Sequence, residues 1–344
     1  MKLKRKFTAL LASLMICGSL GISVYANDTS FDISIEDSYS SLVSRKLSKN
    51  LENNQVILFK EYSDQSINRL YNDFDTDLNI TVEDPENVQL FGLASIDGEN
   101  VPLLISGDEI TDTESIEILI NKALNKYIEN TDDANTRNPI IDDTDLKSSP
   151  ASDYSLIGRA IKLTTTNTTI DTEAFYQEYR WYEGGTNGDV DFYYLRKDFE
   201  GLDLDHVHNL MEYTSEFSEY NNSYSADFLD PQPEDGSRSG SFSISYPWGI
   251  SWSFTNNGDD KINLDYSSRS DTALWTVNSW KEIRDFQFKQ GVFIESDTRN
   301  RETTVRDEIV TTSKYVYDVA DFRERTLREV LYISTDGNDV DWND

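Results

Sequence analysis

Between Phe242 and Phe254 large apolar side chains occupy every even position, namely Phe242, Ile244, Tyr246, Trp248, Ile250, Trp252 and Phe254. Ser243, Ser245, Pro247, Gly249, Ser251 and Ser253 hold the odd ones. A period of two is the mark of extended backbone with one apolar face. Reversing the chain with Pro247 and Trp248 as a two-residue loop would set Ser245 against Ile250 and Ser243 against Trp252, mixing the faces. The parity therefore predicts one long strand. Pro247 has no amide to donate, which places that strand at a sheet edge or makes a bulge there.

The first hundred residues mix periods. Tyr39, Leu42, Val43, Leu47 and Leu51 recur at helical spacing, and the apolar run Val56 to Phe59 reads as a strand. Ile67, Leu70, Tyr71 and Phe74 mark a second helix. Val88 to Ala94 and Val101 to Ile105 flank Asp97-Gly98 and predict a hairpin with a loop of about four to six residues. Thr111 and Glu114 have capping-box spacing, ahead of a helical stripe formed by Ile116, Leu119, Ile120, Ala123, Leu124, Tyr127 and Ile128. Residues 131–153 carry Pro139, Pro150 and clustered Asp without a sustained period, and read as an exposed acidic linker.

Beyond that linker strands dominate, and all six Trp lie there. Ile157, Ile161 and Leu163 alternate towards a Thr-rich tip, and Phe175, Tyr179 and Trp181 run into Gly184-Gly185, with Phe192 to Leu195 returning as a hairpin partner. Leu202 to Met211 is ambiguous between strand and helix. Ser218 to Gly240 is rich in Ser, Asn, Pro and Gly and reads as a long loop. Further strands are predicted over Ile262 to Tyr266, Ala273 to Trp280, Gly291 to Glu295, Val305 to Tyr317 and Leu327 to Ser334, with a short helix after Ser279 as an alternative. The fold class expected is an α+β domain over residues 27–130, then an all-β, sandwich-like and mainly antiparallel domain over 154–335. An acidic tail over 336–344 closes the chain.

Composition adds an address and excludes partners. Lys2, Lys4, Arg5 and Lys6 precede an apolar run from Phe7 to about Leu20, with small-residue spacing at Val24 and Ala26, as in a secretory signal peptide cut after Ala26. Cys17 lies inside that run behind the bulky Ile16, which disfavours a lipoprotein signal. It is the only cysteine, so the exported chain has no disulfide and no thiol chemistry. The formal net charge is −32, and four basic residues leave with the leader, which makes nucleic acid and anionic headgroups poor partners. The basic, Leu-rich leader fits a Gram-positive bacterium.

Candidate chemistry is sparse. His206 and His208 are the only histidines, and no HExxH, GxSxG or GK[ST] motif is present. In the cluster Asp203-Leu204-Asp205-His206-Val207-His208 an extended strand would put His206 and His208 on one face, a two-histidine geometry that suits zinc with a nearby carboxylate as third ligand, although a polar exposed edge or turn explains the same residues. Asp73, Asp75, Asp77 and Asn79 alternate as in a calcium loop, but Leu78 stands where the turn glycine belongs and Asp84 where the closing Glu belongs. Asp336 to Asp341 is equally unspecific. Trp181, Tyr182, Trp275 and Trp280 would stack on sugar rings if they faced outwards, yet the sheet faces need filling and favour core positions. No catalytic, cofactor or metal site is assigned on these grounds.

A β-rich exported chain with a Thr-rich segment at Lys162 to Thr172 and the alternating segment at Phe242 to Phe254 resembles the β-pore-forming toxins of the aerolysin and leukocidin kinds. Their membrane hairpins alternate polar and apolar residues. Here the two segments are far apart, and Pro247 and Gly249 interrupt the second. The reading taken from the sequence is a secreted bacterial protein that binds a surface, cell-wall component, glycan or protein partner rather than catalysing a reaction. The alternatives are a membrane-active, pore-forming exoprotein and a carbohydrate-active enzyme using paired carboxylates.

Overall fold

The computed structural model describes residues 29–40, 51–110, 113–136, 155–167, 172–187, 190–202, 208–219, 226–228, 239–244, 250–255, 261–267, 272–278, 286–296, 303–318 and 321–335. The chain is mainly β, with two α-helices among these residues, both in its first 136 positions. Helix α1 (Asp64–Phe74) starts at Ser63, whose side chain caps Ser66 while Ser66 caps Ser63 in return, and it buries Ile67, Leu70, Tyr71 and Phe74. Those four are the residues its spacing singles out. Helix α2 (Thr113–Thr136) buries Leu119, Ile120, Ala123, Leu124 and Tyr127, and runs into the stretch expected to be linker.

One nine-stranded mixed sheet has the order β1-β2-β4-β5-β6-β7-β8-β15-β10. Its members are β1 (Asp32–Glu36), β2 (Gln55–Phe59), β4 (Val88–Ile96), β5 (Glu99–Gly107), β6 (Ser155–Asn167), β7 (Thr172–Asn187), β8 (Val190–Gly201), β15 (Gln287–Ser296) and β10 (Ala226–Phe228). A six-stranded antiparallel sheet has the order β13-β14-β9-β16-β17-β3. It comprises β13 (Lys261–Ser267), β14 (Thr272–Asn278), β9 (His208–Glu219), β16 (Thr304–Asp318), β17 (Asp321–Thr335) and β3 (Leu78–Val82). The expected division into an α+β and an all-β half follows the sequence but not the sheets. β5 pairs in parallel with β6, and β3 pairs with β17, so both sheets draw strands from both halves.

The middle strands of the larger sheet are buried on both faces. Its inner face meets the six-stranded sheet and α1 through a core that includes Phe59, Phe91, Phe175, Tyr179, Trp181, Phe199, Tyr213, Phe217 and Trp275. Its outer face meets α2 through Val56, Leu58, Leu103, Ile105, Ile161, Leu163 and Tyr176. Covering on both sides explains why every residue from Glu173 to Trp181 is buried, where a sheet wet on one face would alternate.

Several elements depart from the sequence reading. The β4–β5 hairpin closes through two residues, Asp97 (φ 53°) and Gly98 (φ 85°), with Ile96 paired to Glu99. Two successive positive φ angles give the tight primed turn that matches strand twist, so no longer loop is needed. The Ser218 to Gly240 stretch contains the end of β9, the short β10 and the start of β11. The largest correction concerns Phe242 to Phe254, which forms two strands, β11 (Ser239–Ile244) and β12 (Ile250–Thr255). The helix expected around Leu42 to Leu47, the short helix after Ser279, the acidic tail and the signal peptide expected over residues 1–26 lie outside the described residues.

Candidate functional site

β11 and β12 make a separate two-stranded antiparallel sheet that pairs with neither large sheet among the described residues. The register sets Phe242 opposite Trp252, Ile244 opposite Ile250 and Gly240 opposite Phe254. Ser241 stands opposite Ser253 and Ser243 opposite Ser251. Paired positions share a face, so this ribbon has an apolar face and a serine face. A two-residue loop would have mixed them. Five residues, 245–249, connect the strands, and an odd connection preserves the parity that an even one breaks.

Between the two large sheets the core is not uniformly apolar. Lys197 on β8 donates to Asp307 on β16 at 2.6 Å, both side chains having no solvent exposure. Asp307 also accepts from the hydroxyls of Tyr179 (2.7 Å) and Ser215 (2.6 Å). Gln290 donates to Ser215 and accepts from the Tyr213 hydroxyl. Beside this cluster Lys162 on β6 donates to Glu329 on β17 at 2.6 Å, and Glu329 also accepts from Thr164 and Ser106. Burial pulls the Lys197 ammonium down to about 8, with Asp307 opposing that pull. Burial pushes the Glu329 carboxyl up, but Lys162 and the hydroxyls outweigh it and hold it below the usual carboxylate range.

The outer face of the larger sheet carries a second charged array. Register aligns Arg159, Arg180 and Arg196 in one row across β6, β7 and β8, ending at Gly291 on β15. The next row is Ile161, Glu178, Asp198 and Lys289. Glu178 accepts from Arg159 (2.6 Å) and Arg180 (2.6 Å), and Asp198 accepts from both Nε and Nη2 of Arg196 (2.7 and 2.8 Å). Arg180 and Lys289 approach Asp198 at 3.7 and 3.9 Å. Burial raises the Asp198 carboxyl, and Arg196, Arg180 and Lys289 more than reverse that, holding it well below the usual range. On α2, Tyr127 lies over the Arg159 guanidinium at 4.0 Å, and Lys126 pairs with Glu200 at 2.7 Å.

The residues singled out from the sequence scatter. His208 opens β9 opposite Tyr315, while Asp203, Asp205 and His206 lie outside the described residues. Asp75 caps the C-terminus of α1 in a left-handed conformation, Asp73 accepts from the Tyr39 hydroxyl, and Asn79 accepts from Thr76 inside β3. Among the described residues no three His, Cys, Asp or Glu side chains converge as metal ligands would. Trp181 and Trp275 are fully buried in the core between the sheets, Tyr182 is half-buried, and Trp280 and Asp336 to Asp341 lie outside the described residues. Sequence reasoning missed both charged arrays. Their only trace is charged or polar residues spaced two apart in strands, such as Arg180 beside Glu178 and Arg196 beside Asp198, which a solvated face would show equally.

The fold and its features thus define a mainly β protein of two stacked sheets and, among the described residues, a separately paired two-stranded ribbon with alternating apolar and serine positions. No protein family and no curated protein sequence matches the chain. Among solved structures it is similar to one described as a pore forming protein, at 8% identity and a TM-score of 0.31, over 52% of this chain and 94% of that one. Clostridium perfringens delta-toxin matches at 9% identity and 0.31, over 56% and 97%. The C. perfringens NetB toxin in its membrane-inserted form matches at 8% identity and 0.25, over 51% and 93%. At such scores the overlap is too loose to carry an argument, and function is read from the chain's own geometry.

Proposed function

We propose that this is an exported, membrane-active protein that inserts its β11–β12 ribbon into a bilayer and assembles a β-lined pore. The observation that carries the reading is the ribbon's register, which segregates Phe242, Ile244, Ile250, Trp252 and Phe254 from Ser241, Ser243, Ser251 and Ser253. A membrane-spanning β-hairpin needs this division, with apolar side chains towards lipid and small polar ones towards water. It also needs its backbone edges paired, which in a bilayer only a closed barrel provides, so several copies of the chain must contribute ribbons.

Length sets a further condition. Six residues at about 3.4 Å each give a ladder of roughly 20 Å, and a tilt near 40° shortens its span of the membrane normal. Crossing an apolar band of about 25 Å takes roughly nine to eleven residues per strand, so the ladder must lengthen by three or more on each side. Tyr246 and Trp248, at even positions between the strands, continue the apolar row in that direction, whereas Arg238 and Asn256, the next even positions beyond the open end, suit a membrane interface. The net charge of −32 disfavours anionic bilayers and points to zwitterionic ones. The test is dye release from phosphatidylcholine liposomes by the processed protein, with oligomers sought on the vesicles. Release with oligomer formation is expected; folded protein that binds or ignores the vesicles without releasing dye sinks the reading.

A further inference from the structure

We infer that the conducting face of the pore is uncharged and passes small cations and anions alike, and that the hydroxyl pairs Ser239–Thr255, Ser241–Ser253 and Ser243–Ser251 set this lack of selectivity. The inference rests on the reading of β11–β12 as a membrane ribbon and adds what crosses it. From Ser239 to Gly258 no residue is charged, a run of twenty and the longest anywhere after Asp28, in a chain with 63 acidic and 31 basic residues. The two-residue period puts positions 239, 241, 243, 251, 253 and 255 on one face, and all six hold a hydroxyl. Polar strand faces elsewhere carry charge. Register places Arg306, Glu308 and Lys314 of β16 on the same face as Glu324 and Arg328 of β17, and sets Glu308 beside Glu216 of β9. The polar face of the ribbon is the exception, and in a barrel it is the face that lines the lumen.

A barrel built from several copies repeats each lumen residue once per copy, so a single charged position becomes a charged ring, and such rings select between ions of opposite sign. The three hydroxyl pairs become rings of another kind. A hydroxyl solvates a cation through its oxygen and an anion through its O–H, so these rings favour neither. Following the odd positions onwards, through Ser245, Pro247 and Gly249 at the turn and Asn257 past the open end, adds no charge either. The nearest charges at odd positions are Asp235 and Asp259, four residues beyond the ladder on either strand and past the interfacial Arg238 and Asn256. There salt screens them over about 10 Å at 0.1 M. Ser243–Ser251 is the hydroxyl pair furthest from that end, which makes it the place to add a charge.

The experiment reads the reversal potential of channels formed by the processed protein in a planar phosphatidylcholine bilayer, which adds no anionic headgroups, under a potassium chloride gradient near 0.1 M. Wild type should give a potassium-to-chloride permeability ratio within about threefold of one, roughly 0.65 kcal/mol of preference. Ser243→Arg should drive that ratio about tenfold towards chloride and Ser243→Asp about tenfold towards potassium, since a lumen lined by one sign of charge concentrates its counter-ion by that order or more. Thr312→Arg, the same charge on the exposed face of the six-stranded sheet, should leave the ratio unchanged. Should a Ser243 variant fail to assemble, Ser253→Arg and Ser253→Asp put the question at the neighbouring ring. Wild-type channels that strongly prefer one sign, or charged variants that conduct with an unshifted ratio, overturn this inference and leave the pore standing; folded protein that forms no channels takes down both.

Discussion

Replacing Lys197 and Asp307, singly and together, tests whether the buried polar layer orders the two sheets or binds them. At 2.6 Å the pair attracts with roughly 6 kcal/mol at an effective dielectric near 20. Desolvating each ion costs several kcal/mol, so the net contribution of the intact pair is close to zero. Lys197→Met alone leaves the Asp307 carboxylate in the core with only Tyr179 and Ser215 to solvate it, and should cost about 3–5 kcal/mol. At about 1.5 °C per kcal/mol for a chain of this length, the melting temperature should fall by roughly 4–7 °C. Lys197→Met with Asp307→Leu removes both charges and should recover most of that loss.

The same pair has a pH signature. The folded chain holds Lys197 near 8, whereas an unfolded lysine titrates near 10.4. Between those values the unfolded chain binds a proton that the folded chain does not, so this group makes the protein more stable as pH rises through that window. Denaturant melts of wild type and double variant at pH 7.5 and 9.5 should show a relative gain for wild type at the higher pH. A single Lys197→Met variant as stable as wild type, or a double variant as poor as the two singles added, would refute the reasoning.

Other outcomes follow from the remaining elements. Phe242→Arg or Trp252→Arg should abolish most dye release, since an arginine or lysine facing lipid costs about 2–4 kcal/mol at mid-membrane, while Ser243→Arg on the other face should retain it; equal effects on the two faces would discredit the ribbon. Glu329 is held below its unfolded pKa, so its contribution is present above about pH 4.3 and is lost as pH falls through the folded value; Glu329→Gln should flatten that acid-side loss in a melt series. Leu124→Ala on α2 empties a fully buried site and should cost about 2–5 kcal/mol by denaturant titration; a loss under 1 kcal/mol would mean that α2 does not seal the outer face.

Patterning alone settled which segments are helical or extended wherever one face is apolar and one polar. Ile67 to Phe74, Leu119 to Tyr127 and the strands from Ile262 onward carry their periods openly, because each period reports one buried face. Composition likewise dictated the acidity and the single cysteine, Cys17. Only the tertiary structure decided how those elements share sheets, since pairing β5 with β6 and β3 with β17 depends on contacts far apart in sequence. It also decided the fate of Phe242 to Phe254: a long strand and a hairpin with an odd connection have the same alternation, and parity cannot tell them apart. The two charged arrays were invisible for a related reason. Whether Lys197 meets water or Asp307 is set by what the second sheet lays over it, and nothing within β8 itself encodes that neighbour.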